Sequence, residues 1–187
     1  MREVDDWMLA ARARQGDQQA FAALVRRYEK PVLHFCARMT GNVSEAEDIA
    51  QETFLALYRS LERIEPKARF STLLFGIARN LTLNHLRDGK RRGRNTAVPL
   101  DDLNADPAAA GRPDRKAHAS EIGAALQAAI AGLAPDHRET LVLREFNGLD
   151  YETIAATVGC PVGTVRSRLA RARETLRARL EEQDMLP

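Results

Sequence analysis

Pro161-Val-Gly-Thr-Val-Arg-Ser-Arg-Leu-Ala-Arg-Ala-Arg-Glu174, preceded by Gly159-Cys160, is the segment from which the fold is read. Pro161 suits the first turn of a helix, because its missing amide is one that a helix start leaves unpaired anyway. Behind it a helical pattern runs to about Glu182. Between 162 and 180 it carries six arginines (166, 168, 171, 173, 177, 179) against one acid, Glu174. Upstream, Asp150 caps a short helix to about Val158, and Gly159-Cys160 turns the chain. A short helix, a glycine turn and a basic helix have the spacing of a helix–turn–helix. In that motif the second helix enters the DNA major groove and residues near its start reach base edges. Arginine suits the task, since its planar fork bonds guanine O6 and N7 together. Gly163 and Thr164 keep the helix start slim, and its free amides can receive a phosphate. The competing reading is a solvated surface helix in a chain that simply prefers Arg to Lys (24 against 4); the turn before the helix argues against it.

Working outward, the composition agrees with a helical chain. The 187 residues include 30 Ala and 22 Leu but only 9 Val and 6 Ile, a balance that favours helices and excludes an all-β fold. In 4–40, Phe21, Leu24, Val25, Tyr28, Val32 and Phe35 recur at three- and four-residue steps, with Pro31 predicted to kink the helix. Gly41-Asn42 ends it, and Ser44 with Glu47 reads as a capping box opening a helix over 45–61. A loop over 62–69 leads to a long helix over about 71–92. Residues 93–117 hold Gly93, Pro99, Pro107, Gly111 and Pro113 without a helical period, which predicts a linker. Helices then resume over about 118–132 and from Pro135 to near Phe146, before Asn147-Gly148. The expectation is an all-α protein of two small domains, 1–92 and 118–187, joined by a flexible linker.

The net charge of +2 conceals how charge is placed. Between 79 and 94, Arg79, Arg87, Lys90, Arg91, Arg92 and Arg94 oppose only Asp88. Arg79, Asn80 and Asn84 share that helix, and asparagine amides can pair with base edges. Two basic faces on one tether can bind two separated DNA sites with an avidity gain. A third cluster is acidic: Glu45, Glu47, Asp48 and Glu52 share a helix with Phe54, Leu55, Leu57 and Tyr58. Acids in a first turn stabilise the helix dipole, which accounts for Glu45 and Glu47. No His or Cys lies at ligand spacing from Asp48 and Glu52, so a face that docks a protein is expected there, with no metal and no cofactor. No nucleophile–base set or phosphate loop supports an enzyme, and no small-molecule substrate is expected. Cys36 and Cys160 make no disulfide scaffold, and no signal segment or bilayer-length apolar run is seen; a cytoplasmic protein without membrane insertion is expected.

Four segments in order resemble a bacterial extracytoplasmic-function (ECF, group 4) sigma factor of the sigma-70 family. They are Glu47-Asp-Ile-Ala-Gln-Glu-Thr-Phe-Leu55, Phe70-Ser-Thr-Leu-Leu-Phe-Gly-Ile-Ala-Arg-Asn80, Leu143-Arg-Glu-Phe-Asn-Gly-Leu-Asp-Tyr-Glu-Thr-Ile-Ala155 and Cys160 to Glu174. The resemblance implies a sigma domain 2 over 1–92 and a sigma domain 4 over 118–187. It implies that Asp48, Gln51, Glu52, Phe54 and Leu55 dock the β′ clamp helices of core RNA polymerase. Lys67, Arg69, Phe70, Arg79, Asn80, Asn84 and Arg87 would open and read the −10 promoter element. Thr164, Arg166, Ser167, Arg168, Ala170 and Arg171 would read the −35 element, while domain 4 also sits on the β flap. An anti-sigma factor is the implied regulatory partner. Two departures are visible: Leu73 stands where the family motif often has Trp, and Ala170 where many relatives are bulkier. Two other functions share these features, namely a stand-alone helix–turn–helix regulator acting without polymerase and a helical adaptor that mimics a sigma factor.

Overall fold

In the computed structural model, the structure describes residues 5–63, 65–91 and 113–182; of 90, 91 and 113–121 only the helical backbone is described. Among the described residues eight α-helices follow one another: α1 (Asp6–Arg14), α2 (Gln18–Thr40), α3 (Val43–Ser60), α4 (Phe70–Arg91), α5 (Pro113–Ala131), α6 (Pro135–Leu141), α7 (Tyr151–Val158) and α8 (Val162–Glu181). No strand occurs among the described residues. The all-α expectation holds.

Short polar side chains start these helices. Asp5, Asp17, Asn42 and Asp150 precede α1, α2, α3 and α7, and each accepts a hydrogen bond from a first-turn amide. The start of α3 corrects the sequence reading. Asn42, not Ser44, is the cap: its Oδ1 accepts from the Glu45 amide at 3.2 Å, and Ser44 lies exposed inside the first turn. Gly41, at φ +75°, supplies the left-handed residue that ends α2 immediately before it. Asn42→Ala should therefore cost about 1 kcal/mol in urea unfolding, and Ser44→Ala less than about half of that.

α2 runs through Pro31 and ends before Gly41, as the pattern expects. Two further boundaries differ from it. Helix resumes at Pro113 rather than 118; the rest of the expected linker, through 112, lies outside the described residues. The helix expected over 135–146 is α only to Leu141 and then π over Val142–Phe146, closing with Asn147 N–H donating to Val142 O at 3.2 Å. One extra residue in that turn is what presents Phe146 and Asn147 sideways to α2.

Within the first half, Phe35 of α2 meets Phe75 of α4 edge-on at 6.0 Å, over fully buried Leu24, Leu57 and Leu74. Within the second, Leu141, Leu143, Ile154, Val165 and Leu169 close the packing of α6, α7 and α8. The two halves do not stand apart, for their buried residues form one continuous cluster. Across the join, buried Arg38 lies 4.4 Å over the Phe146 ring and donates to Gln127 Oε1 at 3.2 Å. Asn147 Nδ2 donates to Pro31 O at 2.7 Å, and Arg138 donates to Met39 O at 3.0 Å.

Candidate nucleic-acid and partner interfaces

α7 and α8 build the first face. Gly159 takes φ +73°, and the amides of Gly159 and Cys160 both donate to Ala155 O, at 2.9 and 3.1 Å. A side chain there would be strained, so glycine makes the turn tight. Val165, Leu169 and Ala172 bury one stripe of α8. That register leaves Arg166, Ser167, Ala170 and Arg171 exposed on the opposite side, one turn apart in pairs. Thr164 is half-buried, and its carbonyl accepts from Ser167 Oγ at 2.9 Å. Arg166 lies 5.8 Å from the centroid of the Tyr151 ring, which Arg144 also approaches, at 4.9 Å.

Arg168 leaves this face. Its side chain is only 21% exposed and turns to α6, 2.6 Å from Asp136 and 3.8 Å from Glu139. It braces the helix instead of projecting with its neighbours, which sets it apart from the other residues expected to read the −35 element. Arg173 is likewise held, at 2.5 Å from Glu145.

α4 and the loop before it carry the second face. Asn80, Asn84 and Arg87 are exposed along one side, and Asn84 Oδ1 accepts from Arg87 at 2.9 Å. Lys67 is exposed and pairs with Glu65 at 2.9 Å. Three members of the expected set are engaged elsewhere. Phe70 is buried, edge-on to Trp7 at 5.4 Å and beside Tyr28 at 5.6 Å, while Trp7 Nε1 donates to Ala68 O. It anchors the start of α4 and offers no ring to a base. Arg79 gives two hydrogen bonds to Glu139 of α6, at 2.6 and 3.1 Å. Arg69 reaches Asp150, the cap of α7, at 2.5 Å. Hydrogen bonds from Thr153 hold the Asp150 carboxyl below its ordinary range, with Arg69 adding to the effect. Burial pushes the Glu139 carboxyl up, and the hydrogen bond and charge of Arg79 oppose it.

The third face is a groove of about 600 Å³ between α2 and α3. Phe21, Val25 and Leu33 form one wall, Ala50, Phe54, Leu55 and Tyr58 the other, with Gln18, Glu29, Glu47 and Gln51 at the rim. Leu55 and Tyr58 are 44% and 52% exposed, with the Tyr58 ring edge-on to Phe21 at 5.0 Å, and together they form part of a contiguous apolar patch. Asp48 and Glu52 are exposed on the same helix. The sequence reading places Phe21 and Val25 on an amphipathic stripe and does not assign the α2 wall; the signal is an apolar stripe wider than one packed neighbour can cover. Among the described residues no cluster of His, Cys, Asp and Glu could hold a metal, and no helix is long and apolar enough to cross a membrane.

The family model for Sigma-70 region 2 matches residues 24–92, and that for Sigma-70 region 4 matches 123–176. The RNA polymerase sigma-H factor of Pseudomonas aeruginosa is 39% identical over 181 residues, covering 94% of each chain. The chain belongs to the ECF sigma factors of the sigma-70 family. The ECF RNA polymerase sigma-E factor of Haemophilus influenzae is 35% identical and covers 96% of this sigma factor and 97% of itself. Among solved structures, CnrH in complex with the cytosolic domain of CnrY matches at TM-score 0.70 and 28% identity, over 95% of this chain and 97% of that one. The sigma factor RpoE of Bartonella quintana, in complex with the anti-sigma factor NepR, matches at TM-score 0.69 and 25% identity, over 86% and 96%. The region 2 match spans the α4 face and the groove from Val25 onward, leaving Gln18 and Phe21 before it, and the region 4 match spans the helix–turn–helix through Leu176.

Proposed function

We propose that this sigma factor binds core RNA polymerase through the α2–α3 groove and directs it to promoters by reading −35 with α8 and −10 with α4. The observation that carries the reading is the exposed set Arg166, Ser167, Ala170 and Arg171 on the second helix of a helix–turn–helix. The groove supports the polymerase part: an apolar trough rimmed by Glu29, Glu47 and, along α3, Asp48 and Glu52 suits a basic amphipathic helix pair such as the clamp. The domains act as sigma domain 2 and sigma domain 4, the latter also contacting the β flap. The chemistry stays with polymerase; this subunit supplies address and strand opening, and it acts in the cytoplasm, where the promoter is.

Two of the matched relatives are held by partner proteins, one of them named an anti-sigma factor, which supports an anti-sigma partner here. Run-off transcription from a matched promoter by purified core plus this chain is the test. Product that depends on both the chain and the promoter is expected. Tight operator binding with no effect on core would instead identify a stand-alone regulator.

At −10, a base must leave the stack, which costs a few kcal/mol offset by stacking and hydrogen bonds in the protein. Asn80, exposed at mid-α4, is placed to receive it. Asn80→Ala should reduce permanganate-reactive open complexes several-fold more than closed complexes seen by footprinting. Equal loss of both would remove Asn80 from strand opening.

A further inference from the structure

One carboxylate is shared by cations from both halves of the chain. Glu139, its side chain 2% exposed, receives two hydrogen bonds from Arg79 of α4 and lies 3.8 Å from Arg168 of α8. Of the interdomain hydrogen bonds and ion pairs described above, only this one continues to α8. The others, Arg69–Asp150, Asn147–Pro31, Arg138–Met39 and Arg38–Gln127, end on the cap of α7, just past the π turn, on α6 and on α5.

We propose that Glu139 is an exchangeable positioning residue: in the closed chain it holds Arg79 and joins the two domains, and when they part it takes Arg168 and braces the recognition helix. The argument is one of pairing. A carboxylate this enclosed is strongly disfavoured without a hydrogen-bonded cation. Separation of the halves removes Arg79 and both its hydrogen bonds at once. Arg168 is then the nearest cation, its guanidinium now tied mainly to Asp136, whose side chain is 62% exposed. A small movement closes the 3.8 Å gap and ties α8 to α6 one turn before Arg171. Domain opening, release of an arginine on the −10 face and bracing of the −35 helix thus become a single event.

The second role rests on the reading of α8 as a duplex-reading helix, so the test measures closure and DNA binding separately. Spin labels at Glu62 and Glu174, both exposed, report the interdomain distance in a Cys160→Ser background. Cys36 stays unlabelled, since it is buried and its thiol pKa is pushed up to about 11. Glu139→Gln is expected to enlarge the open population about tenfold and still weaken binding to a −35 duplex about threefold to tenfold. Asp150→Asn gives up the Arg69 pair but keeps an oxygen for the Thr153 amide, so it should open the chain without weakening the duplex. Glu139→Asp, too short to serve both guanidinium groups, is the second variant if the amide does not fold, with smaller shifts of the same signs. Unchanged distances in Glu139→Gln overturn the closing role. Duplex affinity equal to or above that of Asp150→Asn overturns the bracing role. A wild-type chain that ignores the −35 duplex refutes the DNA reading, and the bracing role with it, while the distances still decide closure.

Discussion

Leu55→Asp is expected to weaken binding to core polymerase by at least tenfold while leaving the unfolding midpoint of the free chain within about 2 °C. The two halves of that expectation come from the same exposure. At 44% exposed, Leu55 supports little of the core, so a carboxylate there stays hydrated in the free chain. In the complex it would lie beside Phe54 and Tyr58 and opposite Phe21, Val25 and Leu33 in an apolar trough. Covering a leucine side chain is worth about 1.5–3 kcal/mol, and the ionised replacement must in addition be dehydrated without a partner. Each 1.4 kcal/mol is tenfold; only the exposed 44% of the leucine remains to be covered, about 1 kcal/mol, and the dehydrated carboxylate supplies the rest of that loss. Leu57, two residues on and fully buried, is the contrast: its replacement by Asp should unfold the domain before any binding is measured. Fluorescence anisotropy of labelled chain against core, with thermal melts of each variant, separates the cases. Wild-type affinity in Leu55→Asp would move the polymerase contact off the groove.

The groove also marks a boundary of what periodicity encodes. Periodicity locates nearly every helix, because an apolar residue every third or fourth position has only one way to be buried. It does not say that Phe21, Val25 and Leu33 line an open trough while Leu24 and Val32, their neighbours, are sealed. That distinction depends on how α3 tilts across α2, which composition does not encode. The start of α3 is ambiguous in a different way, since Asn42 and Ser44 both have capping side chains and only the left-handed Gly41 selects the first. The π turn over 142–146 leaves no mark in composition, because it changes a hydrogen-bond register and not a residue type.

Charge is legible as placement along the chain but not as pairing across it. Arg79 and Arg69 have the character of nucleic-acid contacts, and nothing local distinguishes them from Asn80 or Arg87. Their carboxylates lie on α6 and at the cap of α7, far along the sequence. Arg168 is different, because its signal is present in the sequence. Val165, Leu169 and Ala172 fix the buried stripe of α8, and position 168 falls beside it at i+3 from Val165. Counting the register from those three apolar positions separates Arg168 from Arg166 and Arg171 by sequence alone.

That register sets the second large effect. Arg171→Ala should weaken binding of the chain, alone or with core, to a −35 duplex by about 1–3 kcal/mol, roughly 5- to 150-fold. Arg171 is exposed, no hydrogen bond or ion pair restrains it among the described residues, and it follows the small, exposed Ala170. Arg173→Ala on the same helix should cost far less, because Glu145 already holds that guanidinium at 2.5 Å and the pair points off the reading face. Two titrations tell base reading from phosphate contact. If Arg171 reads a base, substituting one base pair of the −35 element should cost the wild type affinity and cost Arg171→Ala almost nothing further. If it neutralises a phosphate, every sequence should weaken alike and the slope of log affinity against log salt should fall by about 0.9. The first outcome is expected, since Arg171 lies one turn beyond Ser167 on the same exposed stripe and its planar fork suits a guanine edge. Loss of affinity equal to that of Arg173→Ala would mean that α8 docks in another register and that Arg166 alone carries the readout.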